Sequence, residues 1–189
     1  MSLDPETFQL LKASVQRFVL ERLIPAEDRV EHDDEVPAEV VADMKELGLF
    51  GLSIPEEYGG IGLNMSQECE VAYQLGRTAL AFRSVVGTNI GIGSQGILMD
   101  GTEQQKAEYL PRIASGELIV SFALTEPDAG SDAASLKTRG VKEGDDYLLS
   151  RNRSEGGRCH AGAPMGLIWN PSAAARRLRA ATLRSRCCS

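Results

Sequence analysis

Between Phe122 and Ser135 the chain reads F-A-L-T-E-P-D-A-G-S-D-A-A-S. The apolar run Leu118 to Leu124 leads into a hydroxyl and a carboxylate, Thr125 and Glu126, and then into the turn-formers Pro127 and Asp128. Ala129 and Gly130 add little bulk, and Ser131 and Asp132 repeat the pairing of hydroxyl and carboxylate. A strand that ends in such a loop presents backbone N–H groups and two hydroxyls with few large side chains in the way. A large polar ligand rich in carbonyls and phosphates could approach it closely. A plain tight turn fits the same residues, because Pro-Asp and Gly-Ser punctuate turns wherever they fall.

Other residue groups could do chemistry. Gly91-Ile92-Gly93-Ser94-Gln95-Gly96 fits G-x-G-x-x-G, the pattern of a dinucleotide-binding turn. That turn needs a strand before it and a helix opening on it. The residues ahead of Gly91 read as helix, so a glycine-rich helix packed close to its neighbours is the expectation. Nicotinamide binding through residues 91–96 is the weaker alternative. Glu56 and Glu57 are adjacent and point apart, which favours a solvated turn over an acid–base pair. His32 falls in the charged run Glu27 to Glu35 with no second ligand at metal spacing, and is expected at the surface. Cys159, His160, Cys187 and Cys188 carry ligand atoms, but the separation from 159 to 187 lies outside zinc-finger spacing, so no metal is expected.

The 189 residues suit one domain better than two, and the formal charge is −7. That total hides a break. Residues 1–150 hold 12 Lys and Arg against 26 Asp and Glu, a net of −14, whereas residues 151–189 hold eight Arg and one acid, Glu155, a net of +7. Three of the four cysteines also lie in the second part, and Cys69 stands alone in the first. A lone thiol argues for a reducing compartment and against a disulfide scaffold. The start, Met1-Ser2-Leu3-Asp4-Pro5-Glu6, has no basic stretch and no apolar core. No signal or transit peptide is therefore expected, and a cytoplasmic location is. The charge-free span Ser84 to Met99 is too short and polar to cross a bilayer. The arginine-rich tail lacks aromatic interleaving, so no nucleic-acid partner is expected, and disorder is the expectation there.

The elements that must position the loop are mostly helical. Asp4 is placed to cap a helix with Pro5 at its first position. Phe8, Leu11, Val15, Phe18, Val19 and Leu23 recur at helical spacing, and Pro25 is expected to break or kink the pattern. Pro37 opens a second helix to about Leu47, with Val36, Val40, Met44 and Leu47 on one stripe and Gly48 as its stop. Leu49 to Gly62 reads as a tight irregular turn around Pro55 and the Gly59-Gly60 pair. Asn64 to Arg77 is a third helix, with Met65, Cys69, Ala72, Tyr73 and Gly76 at its spacing, and Leu80 to Met99 is a fourth. Thr102 and Gln105 form a capping box for the next, and Pro111 is expected to start one more short turn. Strands are expected at Leu118 to Leu124, Leu136 to Val141 and Tyr147 to Leu149, with a hairpin turn over residues 143–146. Helices followed by strands give an α+β class, mainly α.

Residues 123–135 resemble, position for position, the first signature of the acyl-CoA dehydrogenase family. Leu49 to Gly62 and Thr102 to Pro111 resemble further segments of it. The resemblance implies an N-terminal helical domain over 1–117 and the first strands of a β-barrel-like middle domain over 118–150. It implies FAD as cofactor, with Phe122, Ala123, Leu124, Thr125, Gly130 and Ser131 beside it and Thr125 hydrogen-bonding the flavin. Ser131 would also meet the acyl-CoA thioester. The implied reaction is α,β-dehydrogenation of an acyl-CoA, as in fatty acid β-oxidation. An electron-transfer flavoprotein would act as acceptor and the parent would be a homo-oligomer.

The likeness runs from Asp4 to about Leu149. Residues 150–157 do not resemble the family's second flavin-contacting segment, and Trp169 is not in the family's context. The family's catalytic glutamate comes from a C-terminal helical domain that nothing here resembles, so no catalytic residue is assigned. A reading-frame change near codon 150 is the expected origin of the 151–189 tail. The alternative to an enzyme is a non-catalytic chain that packs against partners without turnover.

Overall fold

Asp4 opens the first helix as its residue type directs. Its carboxylate accepts the N–H groups of Glu6 and Thr7 at 3.1 and 3.0 Å, which satisfies two donors that a helix start leaves unpaired. The structure, a computed structural model, describes residues 3–120, 130–135, 140–143 and 146–149. The chain divides into two units, 1–120 and 121–189.

The first unit is helical. Helix α1 (Pro5–Phe18) runs on through a π-helical turn (Val19–Leu23) and a 3-10 turn (Ile24–Ala26) into α2 (Glu27–Asp33). Pro25 therefore does not break the helical path. It lies at the start of the 3-10 turn, where a missing N–H is cheapest. His32, in the charged run from Glu27 to Glu35, is exposed as expected, while Val30 of α2 in the same run is buried. Asp34, at φ 53°, ends α2 in the left-handed region.

Helix α3 (Ala38–Glu46) follows Pro37 and stops at Gly48, whose φ of 69° a side chain would strain. Residues 49–63 then fold back on themselves. Ile61 and Leu63 donate to the carbonyls of Gly51 and Leu52 at 2.9 and 2.8 Å. A Cβ on Gly60 would stand 1.9 Å from the Ile54 carbonyl oxygen, so this close approach admits glycine alone. Glu56 and Glu57 are both exposed on the turn.

Helix α4 (Met65–Leu75) starts from a reciprocal capping box between Asn64 and Gln67. It buries Val71, Gln74 and Leu75. Met65 and Tyr73, from the residues picked out by spacing, are 74% and 72% exposed, so the inward face of α4 lies to the other side of that stripe. Helix α5 (Leu80–Thr88), a π-helical turn (Asn89–Gly93) and α6 (Ser94–Asp100) occupy the expected fourth helix, bent at Gly91. Helix α7 (Glu103–Ala114) carries the capping box of Thr102 and Gln105. Pro111 lies inside α7 and does not begin a new turn. Its missing N–H would have served the carbonyl of Ala107, an exposed residue that water can reach.

The core joins these helices. Val15, Val19, Leu23, Met44, Leu49, Phe50, Leu75, Phe82 and Val86 are essentially inaccessible, and each such side chain contributes roughly 1.5–3 kcal/mol through burial. Exposed ion pairs such as Arg22–Asp43 and Lys12–Glu70, both 2.7 Å, tie neighbouring helices but add at most about 1 kcal/mol each. Among the described residues no helix is long and apolar enough to cross a membrane, and no cluster of His, Cys, Asp and Glu could hold a metal.

The first expected strand is not one where it is described. Leu118 is in a bend and Ile119 and Val120 have no regular structure. Their backbone groups are taken up inside the helical unit: the Leu118 N–H donates to the Arg112 carbonyl and the Val120 N–H to the Asn89 side chain. Residues 121–124 lie outside the described residues. In the second unit, strands β1 (Gly140–Glu143) and β2 (Asp146–Leu149) pair antiparallel, from Gly140 opposite Leu149 to Glu143 opposite Asp146. The expected hairpin is present with shifted bounds: β1 runs two residues past Val141 and β2 starts one before Tyr147, so Glu143 and Asp146 pair where the turn was expected, and residues 136–139 of the second expected strand lie outside the described residues.

Candidate functional site

Of the loop residues singled out by their chemistry, Phe122, Ala123, Leu124 and Thr125 lie outside the described residues. Gly130 and Ser131 are described, and both are exposed. A Cβ on Gly130 would meet nothing within 4 Å among the described atoms. The Ser131 hydroxyl has no hydrogen-bond partner among the described residues. Immediately after it, Ala133–Ser135 forms a 3-10 turn. The Ser135 N–H donates to the Asp132 carbonyl at 3.1 Å, and the Ser135 hydroxyl donates to the Asp132 carboxylate. Asp132 is thus turned back onto its own turn. Ser131 is left with an exposed hydroxyl able to donate or accept beside Gly130.

The segment that precedes this loop in sequence ends the helical unit, and its anchor is Asn89. The side chain is 0% exposed. Its Nδ2 donates to the Ile113 and Leu118 carbonyls at 3.3 and 2.8 Å. Its Oδ1 accepts the Val120 N–H at 2.9 Å. One buried amide thus joins the end of α7 to the segment that runs into the loop. Asn89 is held in turn by the bend it opens. Gly91 departs from helical geometry, at φ −100° and ψ −106°. The Ser94 N–H bonds to the carbonyls of Asn89 and Gly91 and passes over that of Ile90. The skipped Ile90 carbonyl accepts the hydroxyls of Ser53 and Ser94 instead, as a buried carbonyl requires.

The glycines of the 91–96 pattern belong to this same bend. A Cβ on Gly93 would stand 2.7 Å from the Val120 Cβ and 2.8 Å from the Thr88 carbonyl oxygen. The pattern therefore serves close packing, as the glycine-rich reading expects. Helix α5 occupies the place where a dinucleotide-binding turn needs a strand, which removes the nicotinamide alternative. Asn89 was not singled out in the sequence. The available signal was the single asparagine inside the charge-free span from Ser84 to Met99.

The described groups with displaced pKa values belong to the helices and caps of the first unit. Burial pushes the Glu68 carboxyl up against the opposing pull of Arg83. Burial also raises the Tyr109 phenol, helped by the neighbouring Glu108 carboxylate. The Thr7 hydrogen bonds lower Asp4, and the hydrogen bond to its own N–H and the Arg29 guanidinium lower Glu39. A hydrogen bond to Glu103 raises Lys106. Each is explained by its helix cap, ion pair or burial.

Comparison with known proteins bears on the helical unit first. The family model "Acyl-CoA dehydrogenase, N-terminal domain" matches residues 5–117. The chain is 39% identical over 150 residues to (2S)-methylsuccinyl-CoA dehydrogenase of Cereibacter sphaeroides, covering 79% of this chain and 27% of that protein. Among solved structures, a glutaryl-coenzyme A dehydrogenase in complex with glutaryl-CoA superposes with a TM-score of 0.70 at 34% identity, over 79% of this chain and 38% of the other. An acyl-CoA dehydrogenase from Bacillus anthracis in complex with FAD superposes with a TM-score of 0.67 at 33% identity, over 78% and 26%. The chain thus spans between about a quarter and two fifths of the length of these relatives. A match to that domain over more than half of the chain, on a helical unit whose caps, bend and core are the ones described above, places this chain in the acyl-CoA dehydrogenase family.

Proposed function

We propose that this chain supplies the helical domain and the first flavin-facing loop of an FAD-dependent acyl-CoA dehydrogenase, an enzyme that removes two hydrogens from the α and β carbons of an acyl-CoA thioester. The observation that carries the reading is the family match over residues 5–117, followed directly by the loop of Phe122 to Ser135. The FAD complex of the Bacillus anthracis relative and the glutaryl-CoA complex support the ligand chemistry. Phe122, Ala123, Leu124 and Thr125 would lie beside the flavin, with Thr125 hydrogen-bonded to it and Gly130 leaving room for it. Ser131, exposed and small, would face both the flavin and the thioester. FAD, when bound, supplies the hydride acceptor, and the protein's share is alignment and exclusion of water. No described residue is proposed as the base that takes the α proton. An electron-transfer flavoprotein is the proposed acceptor for the full-length enzyme.

Absorbance tests this reading. The purified chain, mixed with FAD and desalted, is expected to retain a yellow band at about 450 nm, and Thr125→Ala to retain less of it. A second reading is favoured by the exposure of Leu80, Ile92 and Met99, at 71%, 56% and 77%: a helical module that packs on partner chains without turnover. A colourless chain that is inert towards acyl-CoA and an electron acceptor supports that second reading.

A further inference from the structure

We infer that Asn89 is the positioning residue for the flavin loop: its buried amide fixes the course of residues 118–120, which lead covalently into Ser121 and Phe122. The inference rests on the flavin reading above. Three observations carry it. The first is economy of bonding. The amide spends two donated bonds on the Ile113 and Leu118 carbonyls and one accepted bond on the Val120 N–H. Reversing the amide would set its oxygen against two carbonyl oxygens, so one orientation alone satisfies all three groups. The second is the lack of any substitute. Residues 118–120 form no strand, and apart from the bond from Leu118 to the Arg112 carbonyl the Asn89 amide is their polar anchor among the described residues. The third is the second lock at Gly93, where the absence of a side chain lets Val120 approach to contact. Polar anchor and packing contact come from the same bend and act on the same residue. The π-helical turn therefore has a use beyond the helix that contains it, as insertions of this kind often do at functional sites.

Two readouts on the full chain decide the matter: amide hydrogen exchange and FAD titration by flavin fluorescence. Thr102→Ala, which weakens the α7 cap, is the control for a general loss of stability. In Asn89→Ala, the Val120 amide is expected to exchange at least about tenfold faster, because its acceptor is gone, and the Leu118 amide, whose bond to the Arg112 carbonyl remains, to speed up as its segment loosens. The amides of α1 and α4 should change no more than in the control. Affinity for FAD should fall about tenfold further than in Thr102→Ala. Should Asn89→Ala fail to fold, Asn89→Leu serves in its place. It fills the same space and removes both donated bonds and the acceptor for Val120. Exchange that is unchanged at 118–120, or that rises equally across all helices, overturns the inference, as does an FAD affinity matching the control. If the wild-type chain binds no FAD, the flavin reading fails and takes the cofactor part of this inference with it. The exchange pattern then decides by itself whether Asn89 holds the segment.

Discussion

At Glu68 two opposing effects can be weighed. Burial on α4 disfavours the carboxylate and Arg83 favours it, and burial prevails, so the pKa lies above the ordinary 4.5. The folded chain then holds this proton more tightly than the unfolded chain does. The group's contribution is fully present below about pH 4.5 and is lost as pH rises through the raised value. Glu68→Gln is therefore expected to stabilise the protein at pH 7 and to leave it unchanged at pH 3.5, as measured by urea unfolding at the two pH values. A variant no more stable than wild type at pH 7 would show that Arg83 compensates fully. Other single residues were legible directly. Asp4, Thr102 and Gly48 act on backbone groups within a few positions of themselves, so residue type and spacing suffice to read them. Asn89 was not legible, because its partners are 24, 29 and 31 positions away. An amide in a charge-free run does not say which backbone it will meet.

The π-helical turn is the element on which the first unit's exit depends. Gly93→Ala places a methyl where the Val120 side chain and the Thr88 carbonyl already stand. Overpacking of this kind costs roughly 1–3 kcal/mol. The expected outcome is a lower melting temperature with faster exchange at Val120, and no change in any NADH affinity; NADH binding that Gly93→Ala abolishes would count against the helical packing role. Element boundaries show where local rules stop. Pro25 was expected to break or kink the first helix and Pro111 to start one more short turn. At Pro25 the helical path changes to a 3-10 turn without stopping, and Pro111 lies inside α7, four residues after the exposed Ala107. The expected strand beginning at Leu118 shows the reverse. Its apolar run has strand character, yet the described part bonds to Arg112 and Asn89 in place of a neighbouring strand. Backbone pairing follows whichever partner the tertiary arrangement offers.

Across the helical unit, the side chains left in water are as informative as the core. Leu80, Ile92 and Met99 are all large, apolar and more than half exposed. They belong to α5, the bend and α6, in a chain that spans at most about two fifths of the relatives compared above. Exposed apolar surface of this kind binds hydrophobic dyes and promotes association. The double variant Ile92→Ser and Met99→Ser is expected to cut dye fluorescence by about half and to leave the helical circular dichroism unchanged, since neither side chain is buried. Dye fluorescence equal to wild type would locate the sticky surface elsewhere. The sequence by itself determined the helical class of residues 4–114, the caps, the apolar stripes of α1 and α3, the hairpin near residue 145 and the motif of the family. Each of these depends on side chains a few positions apart, or on a residue pattern long enough to be specific. Only the tertiary structure decided which side of α4 faces inward, why Gly93 bears no side chain, and that Asn89 secures residues 118–120. Those outcomes depend on groups distant in sequence that meet when the helices close on a shared core, and no local spacing rule contains that information.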